Sequence, residues 1–301
     1  MDPTPGTVTA DDGTDLRLWE LVPDDADEAV LFVHGSITNS RALFAPPVAG
    51  DDSYSWLQAC ARDGRAAFAL DVRGYGDSDR PPEMEEPPAE NDPPVRASTA
   101  AEDIAAGYHE VTGRYDTVHL VGVSWGTMTC GYFCANREHA AASLAQVAPV
   151  YLPPWEFEEG LAALNLDSDL GAYYYQRYDE VKERQGDDEA LFEAIWSAQV
   201  ESNQGESEDA YVAQSGALAD TKDACAGDQP YDAGAVELPT LVIRGSDDAI
   251  AVREDALGLY DVLGAGPERE YAEIGGADHY AMHGERRQAL YDAVAAYHDR
   301  V

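Results

Sequence analysis

Three residue types that can together activate a nucleophile occur in this sequence, each close to glycines. Ser124 lies in Gly122-Val123-Ser124-Trp125-Gly126, Asp248 follows Gly245-Ser246-Asp247, and His279 follows Gly275-Gly276-Ala277-Asp278. A serine hydroxyl becomes a strong nucleophile when a histidine takes its proton, and a carboxylate can orient that histidine. These residues therefore predict acyl transfer through Ser124, with His279 as the base and an aspartate behind it.

The residues around Ser124 predict a turn between a strand and a helix. The apolar run Val118–Val123 ends directly on the serine, and a helical pattern over Trp125–Arg137 follows it. A G-x-S-x-G turn needs small residues on both sides because the serine adopts a strained backbone conformation. At the start of a helix, the N–H group of Trp125 is placed where it can stabilise an oxyanion.

The acid and the base also follow predicted strands. The buried pattern Leu238–Arg244 runs into Asp247 and Asp248, and the pattern Glu270–Ile274 runs into the glycine-rich loop that carries His279. A helix is predicted from about Ala281 to Asp299, with His283 one turn after His279 on the surface or in a supporting position. Parallel strands end at the same edge of a sheet, so this order predicts that the three side chains meet.

Two further segments complete a resemblance to a known family. The strand Ala29–Val33 ends in His34-Gly35-Ser36, and the strand Ala66–Val72 leads into Asp71-Val72-Arg73-Gly74-Tyr75-Gly76-Asp77-Ser78-Asp79-Arg80-Pro81. Together with the chain order serine, acid, histidine, these segments resemble the α/β-hydrolases that carry a cap. The resemblance spans Ala29 to about Val301.

The resemblance implies a fold and a set of roles. We expect the α/β-hydrolase fold, a mostly parallel eight-stranded sheet with helices on both faces and an inserted helical cap. Residues 1–150 and 237–301 would form the core, and residues 151–236, here called the cap, would be inserted after strand 6. The family's acid usually lies three residues after the strand-end glycine, which favours Asp248 over Asp247. The backbone N–H groups of Ser36 and Trp125 would form the oxyanion hole, and His34 would be structural.

The resemblance also limits the chemistry. A serine at the turn argues against haloalkane dehalogenases and epoxide hydrolases, whose reactions run through an aspartyl ester. It predicts a serine hydrolase that cleaves an ester, thioester or lactone. Among these enzymes, a carboxylesterase is the first expectation. One such site also serves acyltransferases, carbon–carbon bond hydrolases, cofactor-free perhydrolases and slow-turnover small-molecule receptors, and these alternatives stay open.

The cap has helical periodicity and many aromatic residues. We predict helices at Trp155–Leu164, Leu170–Arg184, Glu189–Ser202 and Glu208–Ala219. A cap closes a pocket over the nucleophile and sets the substrate. From this position we name four aromatic residues as candidates for the substrate pocket: Trp155, Tyr173, Tyr174 and Trp196.

The charge of the chain excludes some partners. The sequence has 58 acidic residues against 19 Lys and Arg, a net charge of −39, and only two lysines, Lys182 and Lys222. Phosphate backbones and anionic lipid headgroups would be repelled, so we expect neither a nucleic-acid nor a membrane partner, but a small-molecule substrate. The acids are spread along the chain, a pattern that resembles the proteins of salt-accumulating halophiles.

Cysteine usage and the N-terminus predict a reducing, cytoplasmic setting. Four cysteines show neither a disulfide framework nor zinc-ligand spacing, and Met1-Asp2-Pro3-Thr4-Pro5 has no signal-peptide pattern. We expect no metal and no cofactor. A homodimer is left open as the assembly.

The acidic composition predicts that the protein needs molar salt to stay folded. Salt at about 1 M shortens the Debye length to about 3 Å, which screens repulsion between surface carboxylates. Circular dichroism melts in 50 mM buffer and in 2 M KCl test this prediction, and a full cooperative transition in the dilute buffer contradicts it.

Overall fold

The computed structural model describes residues 2–163, 170–185 and 188–301. These ranges contain eleven strands, which in chain order are β1 (Thr4–Thr9), β2 (Asp15–Leu21), β3 (Glu28–Val33), β4 (Ala66–Leu70), β5 (Thr117–Val123), β6 (Ser143–Val147), β7 (Tyr173–Arg177), β8 (Gly205–Ser207), β9 (Ala210–Gln214), β10 (Thr240–Gly245) and β11 (Arg269–Ile274). Eight of them form one sheet in the order β1-β2-β4-β3-β5-β6-β10-β11.

Ten α-helices accompany these strands in the same ranges. They are α1 (Ser40–Phe44), α2 (Trp56–Arg62), α3 (Ala97–Thr112), α4 (Trp125–Asn136), α5 (Phe157–Ala163), α6 (Tyr178–Gln185), α7 (Glu189–Val200), α8 (Gly216–Cys225), α9 (Arg253–Val262) and α10 (Arg287–His298). Short 3-10 helices lie at Asp52–Tyr54, Pro82–Glu85, Pro88–Glu90, Ala233–Ala235 and Gly266–Glu268.

The sheet is parallel except at one edge. Strand β2 pairs antiparallel with both β1 and β4, and the pairs from β4 through β3, β5, β6 and β10 to β11 are all parallel. The predicted α/β-hydrolase fold, with its mostly parallel eight-stranded sheet, is confirmed.

The apolar runs that predicted strands are buried on both faces. Every residue of β4 and β6 is buried, as are five of the six residues of β3. Because side chains alternate along a strand, Leu31 and Val33 join the hydrophobic core on one face and Val30 and Phe32 join the core on the other. Such runs are typical of central parallel strands covered by helices.

The parallel direction brings four chemically important loops to one edge of the sheet. The loop after β3 carries Ser36, the turn after β5 carries Ser124, and the loops after β10 and β11 carry Asp248 and His279. Ligands of open parallel sheets bind at the carboxyl ends of the strands.

The cap lies between β6 and β10, and its described residues add no strand to the large sheet. Instead β7, β9 and β8 form a separate antiparallel sheet of three strands. The helix predicted at Glu189–Ser202 is present as α7, and the one at Trp155–Leu164 is present as α5 up to Ala163. Leu164 lies outside the described residues.

Two other helix predictions in the cap are wrong in their first halves. Within Leu170–Arg184, the segment Tyr173–Arg177 is strand β7 and only the second half is helical. Within Glu208–Ala219, the segment Ala210–Gln214 is strand β9, and helix α8 begins at Gly216. Tyrosine-rich segments fit a half-buried pleated surface, and cross-strand pairing here outweighs the helical spacing of the apolar residues.

The turn at Ser124 is held by close backbone contacts. Ser124 has φ 54° and ψ −119°, a left-handed value of φ that non-glycine residues rarely adopt. A Cβ atom at Gly122 would lie 2.3 Å from the carbonyl oxygen of Gly126, and one at Gly126 would lie 2.4 Å from that of Val33. Only glycine leaves room for the helix to start this close to the sheet.

Replacing Gly122 with alanine is expected to destabilise the protein by about 1–3 kcal/mol, the usual cost of overpacking a core. The contacting atoms belong to the backbone and cannot rotate away. Urea unfolding in 2 M KCl, followed by circular dichroism, measures the change.

Gly258→Ala is the matched control. This glycine lies on the exposed face of α9, where an added Cβ meets nothing within 4 Å. Because alanine is favoured over glycine by about 1 kcal/mol inside a helix, the control should gain stability. Equal effects of the two substitutions would contradict the steric account of Gly122.

Candidate active site

Ser124, His279 and Asp248 form one chain of hydrogen bonds. The Nε2 atom of His279 lies 3.1 Å from the Oγ atom of Ser124, and its Nδ1 atom lies 2.9 Å and 3.1 Å from the two carboxylate oxygens of Asp248. A carboxylate accepts from Nδ1–H, which leaves Nε2 free to accept the serine proton. The arrangement can therefore remove the proton from Ser124 and stabilise the imidazolium that results.

The structure brings Asp248 against His279 and leaves Asp247 exposed. One oxygen of Asp248 also accepts from the backbone N–H groups of Ile250 and Ala251, both at 2.8 Å. Burial raises the pKa of Asp248, but the hydrogen bond and charge of His279 and these two N–H groups outweigh it, so the net pKa is lowered. The carboxylate is thus held in its charged form.

Arg244, at the end of β10, holds the loop that carries Asp248. Its guanidinium donates to the backbone oxygens of Ala251 at 2.6 Å and Asp248 at 2.9 Å, and it pairs with Glu273 of β11 at 2.6 Å. This role of Arg244 was not predicted from the sequence. A cation placed directly before the acid loop is the signal that could have found it.

The two predicted oxyanion residues lie beside Ser124 in the same cavity. Trp125 is the first residue of α4, and the first N–H groups of a helix have no intrahelical acceptor. The carbonyl oxygen of Ser36 accepts a hydrogen bond of 2.5 Å from the hydroxyl of Tyr75, which is fully buried. The hydroxyl of Tyr75 in turn accepts from the side-chain amide of Gln214 in β9 at 3.3 Å.

Trp125 is fixed from its other side by the cap. Its indole N–H donates to the carboxylate of Asp220 in α8 at 2.8 Å. The same carboxylate pairs with Arg96 at 2.5 Å and accepts from the backbone N–H of Ala97 at 2.8 Å. The contact of Asp220 is one that the sequence alone could not have found, because it depends on how the cap packs on the core.

The segments that carried the family resemblance stabilise these loops. His34 is buried, with Nδ1 2.8 Å from the oxygen of Gly35 and Nε2 accepting from the N–H of Val72 at 3.1 Å. Burial lowers its pKa to about 4, so the ring stays neutral. Arg73 makes a bidentate ion pair with the buried Asp103, which anchors the glycine-rich turn after β4.

His283, His119 and His298 take no part in the hydrogen-bond chain of Ser124, His279 and Asp248. His283 is buried, which corrects the surface position first considered for it, and its Nε2 donates to the oxygen of Leu43 at 2.9 Å. Burial lowers its pKa to about 4. His119 and His298 stack at 4.3 Å at the opposite end of the strands.

The four aromatic candidates for the pocket have different positions. Trp155 lines the cavity at Ser124, and its indole N–H donates to the oxygen of Ile250 at 3.0 Å. Tyr174 is half-buried, with its hydroxyl 3.5 Å from the oxygen of Ser36, but it does not line that cavity in the described part of the chain.

Tyr173 and Trp196 are not brought to the site. Tyr173 packs edge-to-face on the exposed Tyr175, with ring centroids 5.8 Å apart. The indole of Trp196 packs inside the cap against Phe192 and Tyr211 and donates to the oxygen of Glu208 at 2.9 Å. Side chains alternate along β7, so neighbouring tyrosines cannot all face Ser124.

Ser124 lies between two cavities. The larger one has a volume of about 300 Å³ and extends under the cap, and the smaller one has about 50 Å³ and extends toward the core. Ile37, Tyr280 and His279 line both. A wider groove of about 950 Å³ lies elsewhere, beside Arg73 and Arg80, and Ser124, Asp248 and His279 are not among the residues that line it.

The described residues hold no group of three or more His, Cys, Asp or Glu side chains that could bind a metal ion. Their four cysteines are all free thiols. No helix among these residues is long and apolar enough to cross a membrane.

Comparison with known proteins gives a family and several structural neighbours. A sequence model described as the alpha/beta hydrolase fold matches residues 28–285. Among characterised proteins, epoxide hydrolase 2 of Siraitia grosvenorii is 31% identical over 136 residues, which are 42% of this chain and 38% of that protein. The match therefore spans about two fifths of the length of this relative.

Solved structures of hydrolases share the fold over nearly the whole chain. The esterase EaEST of Exiguobacterium antarcticum has a TM-score of 0.71 at 16% identity, covering 98% of this chain and 100% of its own. E-2-(acetamidomethylene)succinate hydrolase has a TM-score of 0.67 at 20% identity, covering 99% of both chains. The serine hydrolase CarC of carbazole degradation has a TM-score of 0.65 at 18% identity, covering 99% and 100%. At such identities the likeness concerns the fold.

Proposed function

The chain belongs to the alpha/beta hydrolase fold family, and from this membership we propose that it is a serine hydrolase that cleaves an ester-like bond through an acyl-enzyme. The observation that carries the proposal is the hydrogen-bond chain from Ser124 through His279 to Asp248. A carboxylic ester is the first substrate class, and a thioester or lactone would react by the same steps.

Acylation begins when His279 Nε2 takes the proton of the Ser124 hydroxyl. The Oγ atom attacks the carbonyl carbon, and the N–H groups of Ser36 and Trp125 stabilise the negative charge that develops on the carbonyl oxygen. His279 then gives the proton to the departing alcohol as the carbon–oxygen bond of the ester breaks. Asp248 stabilises the imidazolium throughout.

Deacylation repeats these steps with water. His279 takes a proton from the water molecule, the hydroxide attacks the acyl carbon, and the proton returns to Ser124 as the acid leaves. The strained backbone of Ser124 holds the hydroxyl outward at the end of β5, where both steps need it.

Epoxide opening is a weaker candidate, raised by the similarity to an epoxide hydrolase over 42% of the chain. That chemistry runs through an aspartyl ester, and position 124 holds a serine. An alkoxide from Ser124 and an oxyanion site both suit a trigonal carbonyl carbon, which supports acyl transfer instead.

Labelling with a fluorophosphonate in about 2 M KCl tests the activated serine. Mass spectrometry of the labelled protein should find one adduct, on Ser124, which is absent from Ser124→Ala. Asp248→Asn should label at least about 100-fold more slowly, because the triad aspartate contributes up to about 10⁴ to turnover in a serine protease.

Asp247→Asn is the matched control for Asp248→Asn. It removes the neighbouring carboxylate, which is exposed, and should label at the unchanged rate. An adduct on another residue, or equal slowing in the two asparagine variants, would contradict the assignment of the triad.

Tyr75→Phe tests the support of the oxyanion hole. Losing the hydrogen bond to the Ser36 carbonyl should let the Ser36 N–H turn away from the oxyanion, so kcat should fall by up to about 10-fold with KM little changed. The loss should be smaller than the ~10²–10³ that removal of a whole donor typically costs.

Tyr174→Phe removes a hydroxyl at 3.5 Å from the same carbonyl and serves as the control. Hydrogen bonds of this length are weak, so kcat should change less than twofold. A Tyr75→Phe variant that loses stability but keeps its kcat would contradict the positioning role.

A further inference from the structure

The two cavities at Ser124 differ in volume by about sixfold, about 300 Å³ against about 50 Å³. Ser36, Ile37, Ser124, His279 and Tyr280 line both, so the nucleophile and one oxyanion donor stand at the boundary between them. An ester presents two groups, one on each side of the carbonyl carbon that Ser124 attacks. Each of these spaces can hold one of the two groups.

The larger cavity is lined mainly by apolar side chains. Its walls include Trp155, Phe157, Leu161, Leu218 and Ile250, and its volume lies at the lower end of ordinary ligand pockets. Burial of an apolar group there is favourable because it removes apolar surface from water.

Charge in the larger cavity disfavours an anionic group. Among its lining residues in the described ranges there is neither lysine nor arginine, and the acidic residue Glu159 is exposed to solvent. A carboxylate on the substrate would move from water into an apolar site that offers it no cationic partner and has a like charge near it. Such a transfer is costly.

The smaller cavity has a fixed floor. Its walls include Leu43, Val123 and Met282, all buried. The backbone oxygen of Leu43 accepts from His283 at 2.9 Å, and that of Met282 accepts from the hydroxyl of Tyr291 at 2.6 Å. Because these bonds are buried, moving the floor to admit a longer group would break them.

The smaller volume limits the group that it can hold. A water molecule needs about 10–15 Å³ of such space, so about 50 Å³ accommodates roughly three or four non-hydrogen atoms. Close-packed interiors respond to a single added methylene, so a longer chain would meet the floor.

Resting on the proposed hydrolase function, we propose that the substrate is an uncharged ester with one bulky apolar group and one short group. The bulky group occupies the larger cavity, and the short group, of about one to three carbons, occupies the smaller one. Met282 and Leu43 set the upper limit on the short group.

Two series of neutral esters test this proposal on the unmodified protein in 2 M KCl. In one series 2-naphthyl esters carry acyl groups of two to eight carbons, and in the other 3-phenylpropanoate carries alcohols of one to six carbons. One series should lose at least 10-fold in kcat/KM once the varied group exceeds about three carbons, since a misfit methylene costs about 10-fold or more. Loss in neither series, or equal loss in both, would overturn the proposal.

A charged substrate analogue tests whether the larger cavity disfavours an anionic group. A carboxylate added to the para position of the phenyl ring of the best 3-phenylpropanoate ester should lower kcat/KM by at least about 10-fold at 2 M KCl, where long-range repulsion is screened. An equal or faster rate with the carboxylate would overturn the claim of an uncharged substrate.

Met282→Ala tests which residues set the limit. In the ester series that shows the length limit, kcat/KM for a four-carbon varied group is divided by kcat/KM for a two-carbon group. The variant should raise this ratio by at least about 10-fold. Leu218→Ala, which enlarges the other cavity, should leave this ratio unchanged. A folded Met282→Ala protein with the original ratio would overturn the assignment. If Met282→Ala does not fold, Thr38→Ala, a milder change in the same wall, takes its place in the test.

Failure of this proposal is distinguishable from failure of the proposed function. A protein that forms the Ser124 adduct and hydrolyses esters without the expected selectivity retains the function and loses only the substrate assignment. A protein that forms no adduct and hydrolyses no ester loses both.

Discussion

The backbone of Ser124 is the constraint on which the rest of the structure depends. Its positive φ holds the hydroxyl out of the sheet, and this conformation persists only because Gly122, Gly126 and Val33 pack backbone against backbone around it. The N–H of Ser124 also donates to the oxygen of Val147 at 2.9 Å, which ties the turn to β6. The sheet therefore fixes the position of Ser124, the proposed nucleophile, before His279 contributes any hydrogen bond to it.

The cap contributes to this site through its contacts with the oxyanion residues. Gln214 reaches Tyr75 under the Ser36 loop, and Asp220 accepts from the indole of Trp125. Burial raises the pKa of Asp220, and the hydrogen bonds of Trp125, Arg96 and Ala97 oppose that shift. Because both supports come from β9 and α8, removal of the cap would loosen the proposed oxyanion hole as well as open the cavity.

The sequence was most informative where local pattern and tertiary structure agree. Continuous apolar runs predicted the central strands, and the residues after them predicted which loops meet, because parallel strands share an edge. The helical spacing in Leu170–Arg184 was misleading, because β7 forms by pairing with β9, a strand distant in sequence. Tyr173, for example, pairs with Gln214, 41 residues later. Trp196 was predicted in the pocket because it is an aromatic residue of the cap, but the packing of α7 turns its side chain into the interior of the cap.

The acidity of the chain bears on the cavity as well as on the surface. With two lysines among 19 basic residues, 17 are arginines, and several are held by structural carboxylates. Arg73 pairs with Asp103, Arg96 with Asp220, and Arg244 with Glu273. A guanidinium used in this way stabilises a loop and is unavailable to a substrate. In a chain with so few basic residues, the use of arginines to fix loops therefore favours a cavity that contains no cationic side chain. The apolar walls of the larger cavity are suited to a neutral group.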